Sequence, residues 1–167
     1  MPTAINDSTY SAVQTLTNAV ASLASDTNLL AGYESDVIDN TIEEAGDIIL
    51  SVKVTTGTSP TAARRIEIWA VAWNGSGWPD VFDGTTGAET ISAAEVKTNL
   101  CQLVCSLATN ATSDKVYESN GISLRQVFRG CLPSKIVLFT THNTAVNLNA
   151  TAGNHSFTYQ YIKPEIQ

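Results

Sequence analysis

Both histidines of this 167-residue chain fall in one stretch, "THNTAVNLNATAGNH", residues 141–155. His142 and His155 are the obvious first ligands of a metal site or first members of a catalytic pair. Two imidazoles need thiolates or carboxylates to complete a metal shell, yet the only Asp or Glu after Glu118 is Glu165. The stretch supplies four asparagines and a glycine instead. These residues tolerate left-handed backbone and bond to their own main chain. We therefore read it as a loop between two strands, with Val146 and Leu148 inward and Asn147 and Asn149 outward. His155 is then a hydrogen-bonded residue at the rim of the core rather than a ligand.

Three cysteines, Cys101, Cys105 and Cys131, form an odd set, which argues against a disulfide framework. The C-x3-C spacing of the first two is looser than the paired spacing of structural zinc, so buried structural thiols are expected. No G-x-S-x-G elbow, P-loop, H-E-x-x-H or dinucleotide fingerprint occurs. A glycosidase needs two carboxylates in a cleft, and nothing singles out a pair among sixteen acids. A Ser-His-Asp or Cys-His arrangement meets only in space, where sequence neither builds nor removes it. The expectation is a protein without catalytic residues, cofactor or metal. The N-x-S/T sequons at Asn74, Asn110, Asn149 and Asn154 are what a Thr- and Asn-rich chain produces by chance.

The formal charge of −7 argues against gripping nucleic acid or an anionic membrane, since both need concentrated Lys and Arg. No apolar run approaches the ~18 residues of a membrane span, and "MPTAINDSTY" lacks the basic and apolar regions of a signal peptide. The expectation is a soluble protein made in a cytoplasm. Charged residues reach only 15%, against ~25% in ordinary domains, while 21 threonines favour strands.

The elements that must position these residues read as all-β. In "DIILSVKVTTG", Ile48, Leu50, Val52 and Val54 alternate with polar residues, the period of a half-buried strand. "RRIEIWAVAWNG" is a strand with two apolar faces: Ile66, Ile68, Ala70 and Ala72 on one, Glu67, Trp69, Val71 and Trp73 on the other. A second sheet, a loop or another subunit must cover the second face. Trp78 and Phe82 lie in the turn-rich "NGSGWPDVFDGTTGAE", which is either pinned to its own sheet or contacts a partner. "NLCQLVCSLATN" fits strand and helix alike and is read as a strand from its surroundings. "SLRQVF" is one helical turn with Ser123 as N-cap. "KIVLFTT" and "HSFTYQYI" are closing strands, the latter with His155, Phe157, Tyr159 and Tyr161 on one face. The six acids from Glu34 to Asp47 read as a solvated edge or subunit-facing loop. Residues 1–30 form an N-terminal arm or short helix, and residues 31–167 a single β-sandwich or jelly-roll-like domain.

The blocks "VIDNT", "TTGTSP" followed by "IEIWA", "PDVFDGTTGAETI", "DKVYESNGISL" and "VLFTTHNTAVNLNATAGNHSFTYQYI" resemble a family of small virion structural proteins of tailed bacteriophages. The likeness runs from about Gly32 to the C-terminus and is most specific in the last block. Cys101 and Cys105 match no pattern of that family. The resemblance implies a head decoration, or cement, protein: a β-sandwich or jelly roll on the outside of the capsid, a homotrimer that binds the major capsid protein and ties capsomers together. The first ten residues would be a docking arm, and Trp69, Val71, Trp73, Trp78 and Phe82 would be subunit or capsid contacts. A tail or baseplate protein is one alternative. Another is a carbohydrate-binding attachment module with Trp78 and the Asn-rich loop as its platform.

Overall fold

Side-chain alternation decides the central strands. The computed structural model describes residues 7–165. Within it β5 (Asp47–Thr55) buries Ile48, Leu50, Val52 and Val54, and β6 (Arg64–Ala72) buries Ile66, Ile68 and Ala70 on the facing side. The other strands are β1 (Asp7–Tyr10), β2 (Gln14–Thr15), β3 (Ala31–Glu34), β4 (Ile38–Asp39), β7 (Gly87–Thr90), β8 (Cys101–Thr109), β9 (Val116–Ser123), β10 (Lys135–His142) and β11 (Ser156–Glu165). Two short helices, α1 (Ala94–Leu100) and α2 (Leu124–Val127), complete the described elements together with a 3-10 turn, Ala152–Asn154.

The pairing is nested from the two ends inward. β1 pairs with β11, β3 with β10, β5 with β9, and β6 with β8, all antiparallel. The first sheet runs β1-β11-β5-β9 and the second β7-β3-β10-β6-β8, with β2 added to β11 and β4 to β10. A long antiparallel ribbon rolled so that its rungs fall alternately in two sheets is a jelly roll, and the all-β sandwich follows. Leu50, Val52, Ile66, Ile68, Ile136, Leu138 and Phe157 fill the space between the sheets.

The N-terminal segment belongs to this sandwich. Leu16, Val20 and Leu23 lie in the same core, and Leu16 N–H donates to Phe157 O at 2.9 Å. No helix forms among residues 7–30, and a boundary at residue 30 would divide one core. β1 and β2 pair with β11 at the edge of the first sheet, and the following segment folds Leu16, Val20 and Leu23 against the core. The first six residues of the expected arm lie outside the described ones.

α2 forms as expected at "SLRQVF": Ser123 Oγ accepts from Gln126 N–H at 3.1 Å. "NLCQLVCSLATN" divides between both of its readings, because α1 ends at Leu100 and β8 begins at Cys101. α1 and the loop before it form a third layer on the outer face of the second sheet. There Val71, Val137 and Phe139 pack with Phe82, Ile91 and Cys101 in a separate small core.

Candidate functional site

The histidine loop, residues 141–155, closes one end of the sandwich. His142 is fully buried. Its Nε2 donates to Leu23 O at 3.0 Å, and its Nδ1 lies 2.9 Å from Thr144 Oγ1. Half-buried His155 donates from Nε2 to Asn149 O at 2.9 Å, while its Nδ1 accepts from Thr55 N–H at 3.4 Å. Burial holds both imidazoles below the ordinary histidine range, against the Leu23 and Asn149 carbonyls that favour the charged forms. Both rings spend their nitrogens on structure, as expected for His155.

Asn149 is the hub of this end. Its N–H donates to Thr55 O and its Nδ2 to Asp114 at 2.7 Å, and its Oδ1 accepts from Thr151 N–H and Asn154 Nδ2. It is half-buried, which corrects its outward placement. Leu148 is buried and Asn147 exposed as predicted.

The densest group of charged side chains lies between the second sheet and its covering layer. Glu67, on β6, is 6% exposed. It accepts from Arg65 Nε at 2.5 Å, Trp69 Nε1 at 2.9 Å and Lys97 Nζ at 3.0 Å. Lys97, also 6% exposed, donates a second bond to Leu29 O at 2.6 Å and stands 4.8 Å above the Trp69 ring. Burial alone would raise the Glu67 carboxyl, but the Arg65, Lys97 and Trp69 donors outweigh it and hold it below its ordinary range.

Glu34, on β3, is fully buried. It accepts from Gly84 N–H at 2.8 Å and Asp83 N–H at 3.2 Å. Burial pushes its carboxyl up to about 7 against those two donors, and the charges of Asp83 and Glu89 add to the rise. Glu34 is thus removed from the solvated acidic edge read from sequence, and Asp36 and Asp39 are half-buried. Of the remaining acids of that stretch, Glu44 is exposed, half-buried Glu43 pairs with Lys163, and half-buried Asp47 in β5 accepts from Ser123 Oγ at 2.6 Å. The sequence reading missed both buried glutamates as anchors. The signal for Glu67 was a lone acid in an otherwise apolar face, but its partner lies thirty residues downstream.

The five aromatic and apolar contacts expected at a partner surface are largely spent inside the chain. Val71 and Phe82 are buried, Phe82 packing edge-on against Phe139 with ring centroids 5.6 Å apart. Trp69 and Trp78 are half-buried in the same small core. Trp73 is half-buried beneath Lys135 Nζ, 5.5 Å from its ring, and keeps part of its surface. The chain's own loop and α1 supply the cover that the second face of β6 required.

Cys101 is buried and Cys105 half-buried, and burial pushes their thiols up to about 12 and about 11. Such thiols are poor nucleophiles. Cys131 is exposed, a correction to its expected burial, because it follows α2 in a surface turn. Among the described residues, no group of three or more His, Cys, Asp or Glu is placed to hold a metal. The outer face of the first sheet carries a shallow trough of about 180 Å³ lined by Ser51, Lys53, Glu118, Asn120, Ser156 and Thr158. No family model matches the chain, and no curated protein matches it.

Proposed function

We propose that this chain is a non-enzymatic structural protein of a tailed-phage virion, a decoration protein that binds the outer capsid surface as a homotrimer and stabilises the assembled head. The observation that carries the reading is the jelly-roll pairing, an architecture used by viral capsid domains. Fold alone does not assign function, so the specific wording of residues 137–162 and the state of the reactive groups bear on it as well. The histidines are bonded to backbone carbonyls, and two of the three thiols are held protonated. Stabilisation would arise by mass action, through preferential binding to the expanded lattice, and repeated weak contacts would add through avidity.

Lectins also use jelly rolls. The trough on the first sheet offers hydroxyls and an amide but no aromatic ring, and Trp78 is half-buried against Gly84. A glycan-binding role therefore has less support than capsid binding.

The test is co-sedimentation of the purified protein with expanded heads, unexpanded proheads and isolated tails of the phage that encodes it. Binding confined to expanded heads is expected, with three-fold density on the shell by cryo-EM. Binding to tails, or to no particle, would overturn the proposal, and retention on a glycan array would favour the attachment reading.

A further inference from the structure

We propose that the loop of residues 40–46 is a knob that seats in a groove beside Arg125 and Arg129 of a second copy of this chain, and that this contact joins the copies. Ile42 is 88% exposed, more than any other large apolar side chain among the described residues. Its loop is nevertheless tightly built. Asn40 Oδ1 accepts from Ala45 N–H at 2.9 Å, Asn40 O from Glu44 N–H at 3.1 Å, and Ile162 O from Gly46 N–H at 2.8 Å. Thr41 N–H donates to Asp39 at 2.8 Å. Glu44 takes φ +44, a strained angle that persists only where the surroundings over-determine it. A loop fixed at this many points presents Ile42 and Glu44 outward without the ordering cost that binding otherwise carries.

The groove lies at the same end of the sandwich. A hollow of about 520 Å³ is lined by Asp47, Ser123, Arg125, Gln126, Arg129 and Gly130. Arg129 also borders a second hollow, of about 390 Å³, which includes half-buried Phe128. This turn is fixed as well. Gly130 N–H donates to Arg125 O at 2.7 Å, Arg125 Nε donates to Gly130 O at 3.1 Å, and Arg129 takes φ +57. Asp47 links the two surfaces: it follows the loop directly in sequence, and its carboxylate accepts from Ser123 Oγ at 2.6 Å and Arg125 N–H at 2.9 Å. Knob and groove are thus held apart at a set spacing, and Ile42, exposed as it is, does not fill the groove of its own chain.

Charge selects the occupant. The chain carries −7, so two copies repel one another over most approaches. Among the described residues Arg125 and Arg129 enter no salt bridge, and neither does Glu44. Seating the knob brings Glu44 to these two free cations and gives the bare Ile42 side chain cover, which makes the surfaces complementary. Every copy carries both halves. Because the two halves are different surfaces, the contact is heterologous and closes into a ring; the count of three in that ring rests on the homotrimer proposed above.

The test is analytical ultracentrifugation of the full-length protein over a concentration series at low and high salt, with no capsid present. A trimer is expected, weaker at high salt. Ile42→Asp should weaken each contact by about 10- to 150-fold, the factor that burying one such side chain represents. Glu44→Arg and Arg129→Glu should each weaken assembly, and the two combined in one chain should restore much of it, since the exchanged charges then meet across the contact. All three side chains are exposed, so the variants should melt with the parent. A dimer obeying the same swap would keep the contact and overturn the trimer. A monomer throughout, or assembly indifferent to Ile42→Asp and Arg129→Glu, overturns the contact. A monomer that loses head binding in Ile42→Asp also overturns it, and makes a capsid protein the occupant.

Discussion

Replacing Lys97 by methionine keeps the length of the side chain and removes its charge, which makes it a clean probe of the buried pair with Glu67. Removing one partner of a buried pair costs about 3–5 kcal/mol, because a charge is left behind without compensation. In this site the remaining carboxylate keeps Arg65 Nε and Trp69 Nε1, so the expected loss for Lys97→Met is lower, about 2–3 kcal/mol. Glu67→Gln leaves an ammonium with only Leu29 O as a full-strength acceptor and should cost about 3–4 kcal/mol. In the double variant no unpaired charge remains, and the loss should be about 2 kcal/mol, well short of the sum of the singles. Urea unfolding measures all three, with an unchanged slope confirming that the unfolded states are comparable. For a chain of this length each kcal/mol is about 2–4 °C in melting temperature, so thermal melts give an independent reading. If the double variant loses as much as the two singles added together, the charges do not act on one another and the account of this site is wrong.

The folded histidines are held below their ordinary values, so their contribution is complete above about pH 6.5 and is lost as pH falls through the folded values. His142→Gln should flatten the fall in urea midpoint between pH 6.5 and 5, and an unchanged slope would refute this. With an aromatic disulfide reagent, native protein should release one equivalent of chromophore, from Cys131, and unfolded protein three; rapid labelling of Cys101 in the native state would contradict its burial. A Cβ at Gly32 would sit 2.7 Å from Phe139 Cζ, so Gly32→Ala should destabilise by about 3 kcal/mol; a melt within a degree of the parent would show that β10 yields more easily than its packing implies. Deleting residues 1–10 strips β1 from β11 and should lower the melting temperature as well as capsid occupancy, and unchanged occupancy would end the idea that this segment docks on the shell.

Local alternation made β5 and β11 legible in the sequence, because each has one face on the central core and the period of two survives, whereas β10 reads as a continuous apolar run because it faces both cores. β6 was legible in a more useful way: two apolar faces on one strand require two cores, and both exist. What covers the second face was not legible. α1 is seven residues long, too short for periodicity to separate it from the strand it precedes. The covering loop is turn chemistry with isolated aromatics, whose partners, Phe139 above all, lie more than fifty residues away. The same holds for the glutamates. Glu34 sits among five other acids within fourteen residues, and only the fold separates the one that is buried from those that are not. Residues 7–30 look irregular because their order comes from pairing with β11 and from bonds to the loop around residues 142–149, which no local pattern records.

That last strand has a position unlike its place in the sequence. β11 lies inside the first sheet, flanked by β1 and β2 on one side and β5 on the other. Without β11, β5 has an open edge, and β1 and β2 have nothing to pair with. Completing the first sheet therefore needs a closure between strands far apart in sequence, the slow, non-local step expected of such topologies, with a period of exposure to misassociation. Loss of Ser156–Glu165 would split the sheet down its middle rather than trim its border.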